Sequence, residues 1–122
     1  MSVKIKNKCL ALAKKSTFHS KHGAVVVYDG HIIGSGFNLN LGHDMITQYD
    51  QFKTLHAEMV AILRVKNKSL LKKSILYVTR LKNANEYQMS KPCTVCMKII
   101  NSFGIKEICY TSDVGEWITE NI

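Results

Sequence analysis

Residues 74–111 read SILYVTRLKNANEYQMSKPCTVCMKIINSFGIKEICYT, and the architecture of the protein follows from this stretch. Its two ends, residues 74–79 and 107–111, are short apolar runs rich in β-branched and aromatic residues, which predict buried strands. Pro92 suits the first position of a helix, and Gly104 suits its C-terminal stop. Between them, one helical face collects Cys93, Cys96, Met97, Ile100 and Phe103. A strand, a helix and a strand in this order predict parallel neighbours joined by a right-handed crossover.

The chain before this stretch begins with a helix and a hairpin. Apolar residues at one-face spacing predict a helix over residues 3–16, in which Cys9 is a core residue. Asp29-Gly30 stands between two β-branched runs, which is the strongest short-range signal for a β-hairpin. We expect the second strand of this hairpin to end near Asn38.

Three segments connect these elements. Residues 38–54 have neither a helical nor a strand period, and their Asn, Gly and Asp content predicts an irregular loop. Residues 56–66 are mostly apolar helix formers, which predicts a helix largely buried against the sheet. The polar residues 80–91 predict a functional loop. The whole chain therefore predicts a mixed sheet that carries helices.

The size and composition of the chain limit the classes of protein to which it can belong. A chain of 122 residues with 46% hydrophobic content and one proline predicts a single domain over residues 1–122. The amino-terminal apolar stretch is short and interrupted by lysines, so we expect no signal peptide, no membrane association and a cytoplasmic protein. Four cysteines should then stay reduced, and a C-x-x-C pair indicates metal binding before a disulfide.

The chain is basic, with 17 Lys and Arg against nine Asp and Glu and a formal charge of +8. Such a charge attracts phosphates, either in a free nucleotide or along a polynucleotide. Only Arg64 and Arg80 are arginines, although forked recognition of phosphate usually recruits arginine. A general solubilising effect of the lysines and a functional basic face are therefore equally good explanations of the charge.

Two short motifs carry the chemistry: His56-Ala57-Glu58, and Pro92-Cys93-Thr94-Val95-Cys96. Together they spell H-x-E and P-C-x-x-C, the pattern of zinc deaminases that act on nucleobases. Each half begins a predicted helix, so we expect His56, Cys93 and Cys96 to meet at one zinc ion. Helix N-termini lower thiolate pKa values, which favours ionised cysteine ligands.

Three protein ligands leave the fourth position of a tetrahedral zinc ion to water, as in catalytic sites. Zinc lowers the pKa of that water towards about 7, which makes hydroxide available at neutral pH. Glu58 is expected to take the proton, pass it to the ring nitrogen and protonate the departing ammonia.

Less specific interpretations stand beside this one. A structural zinc site would have three ligands, or four with the fourth drawn from His19, His22, His31 or His43. Of these, His19, His22 and His43 are more typical of surfaces and loops than of ligand sets. Such a site would leave Glu58 on an apolar helix without a function. A redox role for the cysteine pair is disfavoured by Pro92 and by the order of elements. Cys109 is expected in the core, and Tyr49 and Trp117 more often pack than stack on a base.

The chain resembles the cytidine deaminase superfamily in HAE at 56–58, in PCTVC at 92–96 and in the surrounding strands, from about residue 23 to 111. The resemblance implies a three-layer α/β/α sandwich around a five-stranded mixed sheet, one zinc ion per subunit and a homo-oligomer. Asn38, which ends a G-x-G-F-N stretch, resembles an asparagine that relatives use to bind sugar or base. Ala57, Lys91 and Pro92 are the other expected substrate contacts.

The expected reaction is hydrolytic deamination of a free cytosine nucleoside or nucleotide, which gives uracil and ammonia. Relatives that act on free deoxycytidylate or on tRNA adenosine often carry a glutamate before the P-C pair, where this chain has Lys91 after Ser90. That departure and the net charge favour the alternative substrate, cytosine or adenosine in single-stranded nucleic acid or tRNA. A non-catalytic, zinc-stapled binding module is the alternative of another class.

Overall fold

A computed structural model describes residues 3–17, 20–40, 54–82 and 86–122. The chain opens with helix α1 (Val3–Lys14), followed by strands β1 (Ser20–Tyr28) and β2 (His31–Phe37). Asp29 and Gly30, at the turn between these strands, both have positive φ, 49° and 78°. Positive φ at both central positions gives a turn whose twist matches that of the strands, which is why Asp-Gly closes the predicted hairpin.

The later elements alternate between strands and helices. The next elements are strands β3 and β4, helix α2, strands β5 and β6, helix α3 and strands β7 and β8, with the bounds β3 Leu39–Asn40, β4 Thr54–Leu55, α2 Ala57–Leu63, β5 Ile75–Lys82, β6 Glu86–Gln88, α3 Thr94–Ser102, β7 Glu107–Thr111 and β8 Trp117–Asn121. Strands β3 and β4 pair as a two-stranded ladder, and a 3₁₀ helix at Lys68–Lys73 follows α2. Strands β5 and β6 pair antiparallel, as do β7 and β8.

The main sheet has the strand order β2-β1-β5-β7-β8. Strands β5 and β7 are parallel, with helix α3 between them in sequence, and the other neighbours are antiparallel. The predicted mixed sheet with five strands is therefore confirmed. The short β6 adds a sixth strand, which pairs with residues 80–82 of β5, beyond the residues 75–78 that pair with β7.

Both faces of the sheet are covered by helices, which confirms the predicted three layers. Helix α1 buries Ile5, Cys9 and Leu12 against one face, where Cys109 also lies in the core as expected. Helices α2 and α3 pack on the opposite face. This second face carries the larger core, including Ala24, Val26, Leu76, Val78, Ile100 and Ile108.

Two boundary predictions are wrong in ways that matter for the site. The functional loop expected at residues 80–91 is largely a hairpin, because β5 continues through Lys82 and pairs with β6. Most of the paired residues are polar, and Leu81 is the one fully buried side chain among them, so the sequence shows no apolar period here. Pro92 does not occupy the first helical position: Cys93 is the N-cap of α3, and the helix begins at Thr94. Gly104, with φ of 98°, follows the end of α3 as expected.

Other differences are smaller. Helix α2 ends at Leu63, three residues before the predicted end, and Arg64 is its C-cap. The expected loop at residues 38–54 contains the paired β3 and β4 at its ends, and residues 41–53 lie outside the described part. Trp117 begins β8 and packs edge-on against Tyr77, with ring centroids 6.2 Å apart. No helix in the described ranges is long and apolar enough to cross a membrane.

Candidate active site

The HAE motif lies at the start of α2. His56 is the N-cap residue and has extended backbone angles, φ −68° and ψ 150°, so its ring stands beside the first helical turn. Glu58 lies inside that first turn and is 3% exposed, among helix neighbours that all belong to the core. The sequence therefore places a carboxyl group in apolar surroundings, where a charge needs a partner.

The cysteines lie at the start of α3. Cys93 is the extended N-cap residue and is exposed, whereas Cys96 lies within the first turn and is 2% exposed. The Sγ atom of Cys96 is 3.3 Å from Nδ1 of His56. One ligand atom from each of His56, Glu58 and Cys96 lies within 4.8 Å of the others. His56 and Cys96, 40 residues apart in sequence, thus bring the starts of two helices to one point.

Cys93 does not belong to that 4.8 Å group, although it lies near enough to Cys96 to contribute to the pKa shift of that thiol. Burial, and then the Glu58 carboxylate, raise the pKa of the Cys96 thiol. This direction is opposite to the one expected from the helix N-termini, because desolvation of the thiolate outweighs the helix dipole in the protein alone. A cation between the sulfur and the imidazole is what would favour the thiolate.

Glu58 provides the test of whether these residues suit a metal ion. Its Oε1 atom is buried and has no hydrogen-bond partner among the described residues. Burial raises the pKa of this carboxyl, and nearby His56 lowers it less. An unpartnered buried oxygen beside a nitrogen and a sulfur requires a further polar group. Two ligands of one tetrahedral zinc ion lie about 3.5 Å apart, close to the observed spacing of His56 and Cys96, so the residues fit zinc.

A pocket of about 270 Å³ opens at this centre. Six of its lining residues belong to the two motifs or to the expected substrate contacts: His56, Glu58, Lys91, Pro92, Cys93 and Cys96. Four more were not predicted as site residues: His22, Arg80, Met89 and Ser90. Ala57 and Asn38 are not among its lining residues, and their substrate contacts stay predictions.

The pairing register of β1 with β5 places His22 and Arg80 side by side in the site. They are partners across β1 and β5, so their side chains leave the same face of the sheet, the face that carries α2 and α3. Arg80 Nε donates to Ser20 Oγ at 2.7 Å, and Ser20 Oγ lies 3.2 Å from His22 Nε2. Burial, and then the Arg80 charge, lower the pKa of His22 to about 4. His22 is therefore a neutral pocket residue at pH 7, contrary to the expected surface or loop histidine.

Asn38 holds the end of the hairpin beside these residues. Its Oδ1 accepts from the backbone N–H of His22 at 3.0 Å, and its Nδ2 donates to the backbone carbonyl of Ser20 at 2.9 Å. The side chain thereby continues the ladder between β1 and β2 past Phe37. Asn38 sets the position of the residues that line the pocket.

The residues before Pro92 are held by two separate networks. Ser90 is buried, and its hydroxyl oxygen accepts from the backbone N–H of Thr111 at 2.6 Å and lies 2.9 Å from the Val78 carbonyl. Lys91 forms a salt bridge of 3.1 Å with Glu120, which also accepts a hydrogen bond from the Tyr110 hydroxyl. That hydrogen bond is the main reason why the pKa of Tyr110 is raised to about 12.

The remaining histidines do not complete a structural zinc site within the described residues. His31 begins β2 at the hairpin turn and is exposed. His22 lines the pocket but is not in the 4.8 Å group of His56, Glu58 and Cys96. His19, His43 and Tyr49 lie outside the described ranges.

A histidine, two cysteines and a glutamate whose Oε1 has no hydrogen-bond partner among the described residues lie at the starts of two helices, on one face of a mixed sheet. These are the residue types found in zinc-dependent hydrolases. The family model for the cytidine and deoxycytidylate deaminase zinc-binding region matches residues 2–112. The chain belongs to this family.

Solved structures agree with this assignment. The apo crystal structure of dCMP deaminase from cyanophage S-TIM5 is similar with a TM-score of 0.59 and 25% identity, over 92% of this chain and 86% of that one. The complex of the cyanophage enzyme with dCMP and dUMP has a TM-score of 0.53 and 24% identity, over 90% and 82% of the two chains. Among curated protein sequences, none matches this chain.

Proposed function

We propose that this protein is a zinc-dependent hydrolytic deaminase of a free cytosine nucleoside or nucleotide. The observation that carries the proposal is the buried Oε1 atom of Glu58, which has no hydrogen-bond partner among the described residues and lies beside His56 and Cys96. A carboxyl group kept without a partner in a pocket lacks a structural purpose, and it is available to exchange protons with a ligand. Family membership supports the same reaction.

His56, Cys93 and Cys96 are the residues that would hold zinc, one ion for each subunit. Zinc, when bound, supplies a Lewis acid that makes water a nucleophile at neutral pH. Cys93 is the exposed member of this set, and its rotation towards Cys96 would complete three protein ligands. The position that remains open is what separates a catalytic zinc site from a structural one.

Glu58 would move the protons of the reaction. Its raised pKa brings the carboxyl closer to neutral pH, where one group can both accept and donate a proton. In the overall reaction, the oxygen of one water molecule replaces the exocyclic amino group at C4 of cytosine, and ammonia leaves. Glu58 accepts a proton from water, delivers it to the ring nitrogen N3, and returns a second proton to the departing nitrogen.

The size of the pocket favours a small substrate. About 270 Å³ is near the lower end of the range for small-molecule sites, which suits one nucleoside or nucleotide. The similar cyanophage enzyme is a dCMP deaminase, which supports a cytosine nucleotide. Ser90, whose hydroxyl is engaged by Val78 and Thr111, is not available for contact with a nucleic-acid strand.

The test is an assay of zinc-loaded protein against cytidine, deoxycytidine, their monophosphates, adenosine, and single-stranded oligonucleotides that contain cytosine or adenine. Ammonia release and a mass gain of about 1 Da mark deamination. We expect turnover of a free cytosine substrate, and we expect Glu58→Gln to lower it by about 10³-fold, within the usual range for a general acid–base residue.

Glu116→Gln is the matched control, because Glu116 is an exposed carboxylate near the β7–β8 turn and should leave turnover unchanged. Zinc content should be the same in all three proteins. If oligonucleotides alone were deaminated, the substrate would be single-stranded nucleic acid and not a free nucleoside or nucleotide. If no substrate were turned over, the zinc-stapled binding module would be favoured.

A further inference from the structure

Arg80 has an unusual position for an arginine. It lies in β5, it lines the pocket and it is half-buried, yet the one hydrogen bond described for its guanidinium is from Nε to Ser20 Oγ. Within the described ranges, neither Nη atom has a hydrogen-bond partner and no carboxylate pairs with the group. A half-buried cation without a counter-ion is costly, so an anion that enters this pocket gains a strong interaction.

The other cations near the pocket are already engaged. Lys91 is paired with Glu120 at 3.1 Å. His22 faces the Ser20 hydroxyl through Nε2 and is neutral at pH 7, since its pKa is about 4. Arg80 is thus the pocket residue among those described whose positive charge has no protein partner.

Ser20 fixes the orientation of the guanidinium. Its oxygen accepts from Arg80 Nε, and its hydroxyl proton can point to the lone pair of neutral His22 Nε2. Because the Nε edge is held by protein, the two Nη groups remain for a ligand. A guanidinium fork of this kind matches the oxygen atoms of a phosphate and binds them through charge-assisted hydrogen bonds.

We propose that Arg80 binds the phosphate of the substrate, which makes the preferred substrate a free cytosine nucleoside monophosphate and not a nucleoside. This inference rests on the proposed deaminase function. A phosphate could also come from the backbone of an oligonucleotide, but a pocket of about 270 Å³ suits the monophosphate. Ser20 acts as a positioning residue for Arg80.

The test compares kcat/KM for deoxycytidine monophosphate and for deoxycytidine in wild type and in Arg80→Gln. We expect the variant to lose about 30- to 100-fold with the monophosphate, mainly in KM, as is usual for charge-assisted hydrogen bonds. Activity on deoxycytidine should change by less than about twofold. Arg80→Lys should recover only part of the loss, because an ammonium lacks the fork.

Arg64→Gln is the matched control, since Arg64 is the other arginine of the chain and donates to the backbone of Ser35 on the exposed end of α2. Equal losses on both substrates, or no loss on either, would overturn the assignment of Arg80. So would a loss seen with oligonucleotides alone.

A binding arm keeps this test separate from the test of deamination. Calorimetry with the Glu58→Gln protein, with and without Arg80→Gln, measures the affinity for deoxycytidine monophosphate in the absence of turnover. We expect Arg80→Gln to weaken that affinity by about 30-fold or more, while affinity for deoxycytidine stays unchanged. Equal affinities of the two proteins for the monophosphate would refute the phosphate contact even if deamination is established. A loss of affinity in a protein without turnover would support the contact and refute the reaction.

Discussion

Glu58 and His22 are two titratable residues of one pocket that burial shifts in opposite directions. Burial raises the pKa of the Glu58 carboxyl and lowers that of His22 to about 4, so in each case the neutral form is favoured. The Arg80 charge acts in the same direction on His22. Because His22 is neutral at pH 7, Arg80 is the charged pocket residue without a carboxylate partner among the described residues.

The shift of His22 predicts how stability changes with pH. A histidine with a folded pKa below its unfolded value of 6.5 contributes fully above pH 6.5, and the contribution is lost as pH falls from 6.5 towards 4. Between pH 7.5 and 5.0 this loss is about 2 kcal/mol in the free energy of unfolding. Urea denaturation should show that wild type loses this much more than His22→Gln over the same interval.

His31→Gln is the control for this experiment, because His31 is an exposed histidine at the start of β2. Between pH 7.5 and 5.0, the His31→Gln protein should lose as much free energy of unfolding as wild type. If His22→Gln also matched wild type, His22 would have an ordinary pKa and would not be buried beside Arg80.

The sequence predicts part of the site, and the division has a physical cause. His56, Glu58, Cys93 and Cys96 each lie within one helical turn of a helix start, so short motifs reveal them. His22 and Arg80, which are 58 positions apart in the sequence, become neighbours only through the register of β1 with β5. No local pattern encodes a register between distant strands, which is why the cationic side of the pocket was not predicted.

Helix α2 lies very close to β2, and this proximity positions Glu58. A Cβ atom on Gly34 would lie 2.3 Å from the backbone oxygen of Ala61, and one on Gly36 would lie 2.5 Å from a Val60 side-chain atom. Side chains at these positions are excluded by the helix, so glycine in β2 sets the distance between the helix and the sheet.

Gly34→Ala should therefore push α2 away from the sheet. We expect a loss of about 1–3 kcal/mol in the free energy of unfolding, typical of overpacking, and a marked fall in turnover because Glu58 moves with the helix. Urea denaturation and the deamination assay measure the two effects. Ser35→Ala, a change between the two glycines on the opposite face of β2, should cost less than about 0.5 kcal/mol. An equally small cost for Gly34→Ala would contradict the close packing.

At the scale of elements, the sequence predicts strands and helices that have strong local signals. The Asp29-Gly30 turn and the Gly104 helix stop are confirmed because each depends on a residue that tolerates positive φ. The β5–β6 hairpin was not predicted, since most of its paired residues are polar and its second strand has only three residues. The 3₁₀ helix at Lys68–Lys73 likewise buries only Leu71, which leaves no apolar period to read.

The whole molecule brings two distant chain segments to one point on one face of the sheet. Helix α2 follows the hairpin β1–β2, and helix α3 crosses between the parallel strands β5 and β7, so both helices begin beside the pocket. The single domain over residues 1–122 and a homo-oligomeric assembly stay predictions at this scale. The chain has a formal charge of +8. Among the described residues of the pocket, Arg80 is the cation that has no carboxylate partner, whereas Lys91 is paired with Glu120.

Convergence of these two helices on one zinc ion is the central claim, and zinc X-ray absorption of the metal-loaded protein tests it most directly. The account predicts one zinc ion per chain with two sulfur ligands at about 2.3 Å, one imidazole nitrogen at about 2.0 Å and one further light atom. Cys93→Ser should remove one of the two sulfur ligands. A zinc ion without sulfur ligands, or a protein that binds no zinc, would contradict the account.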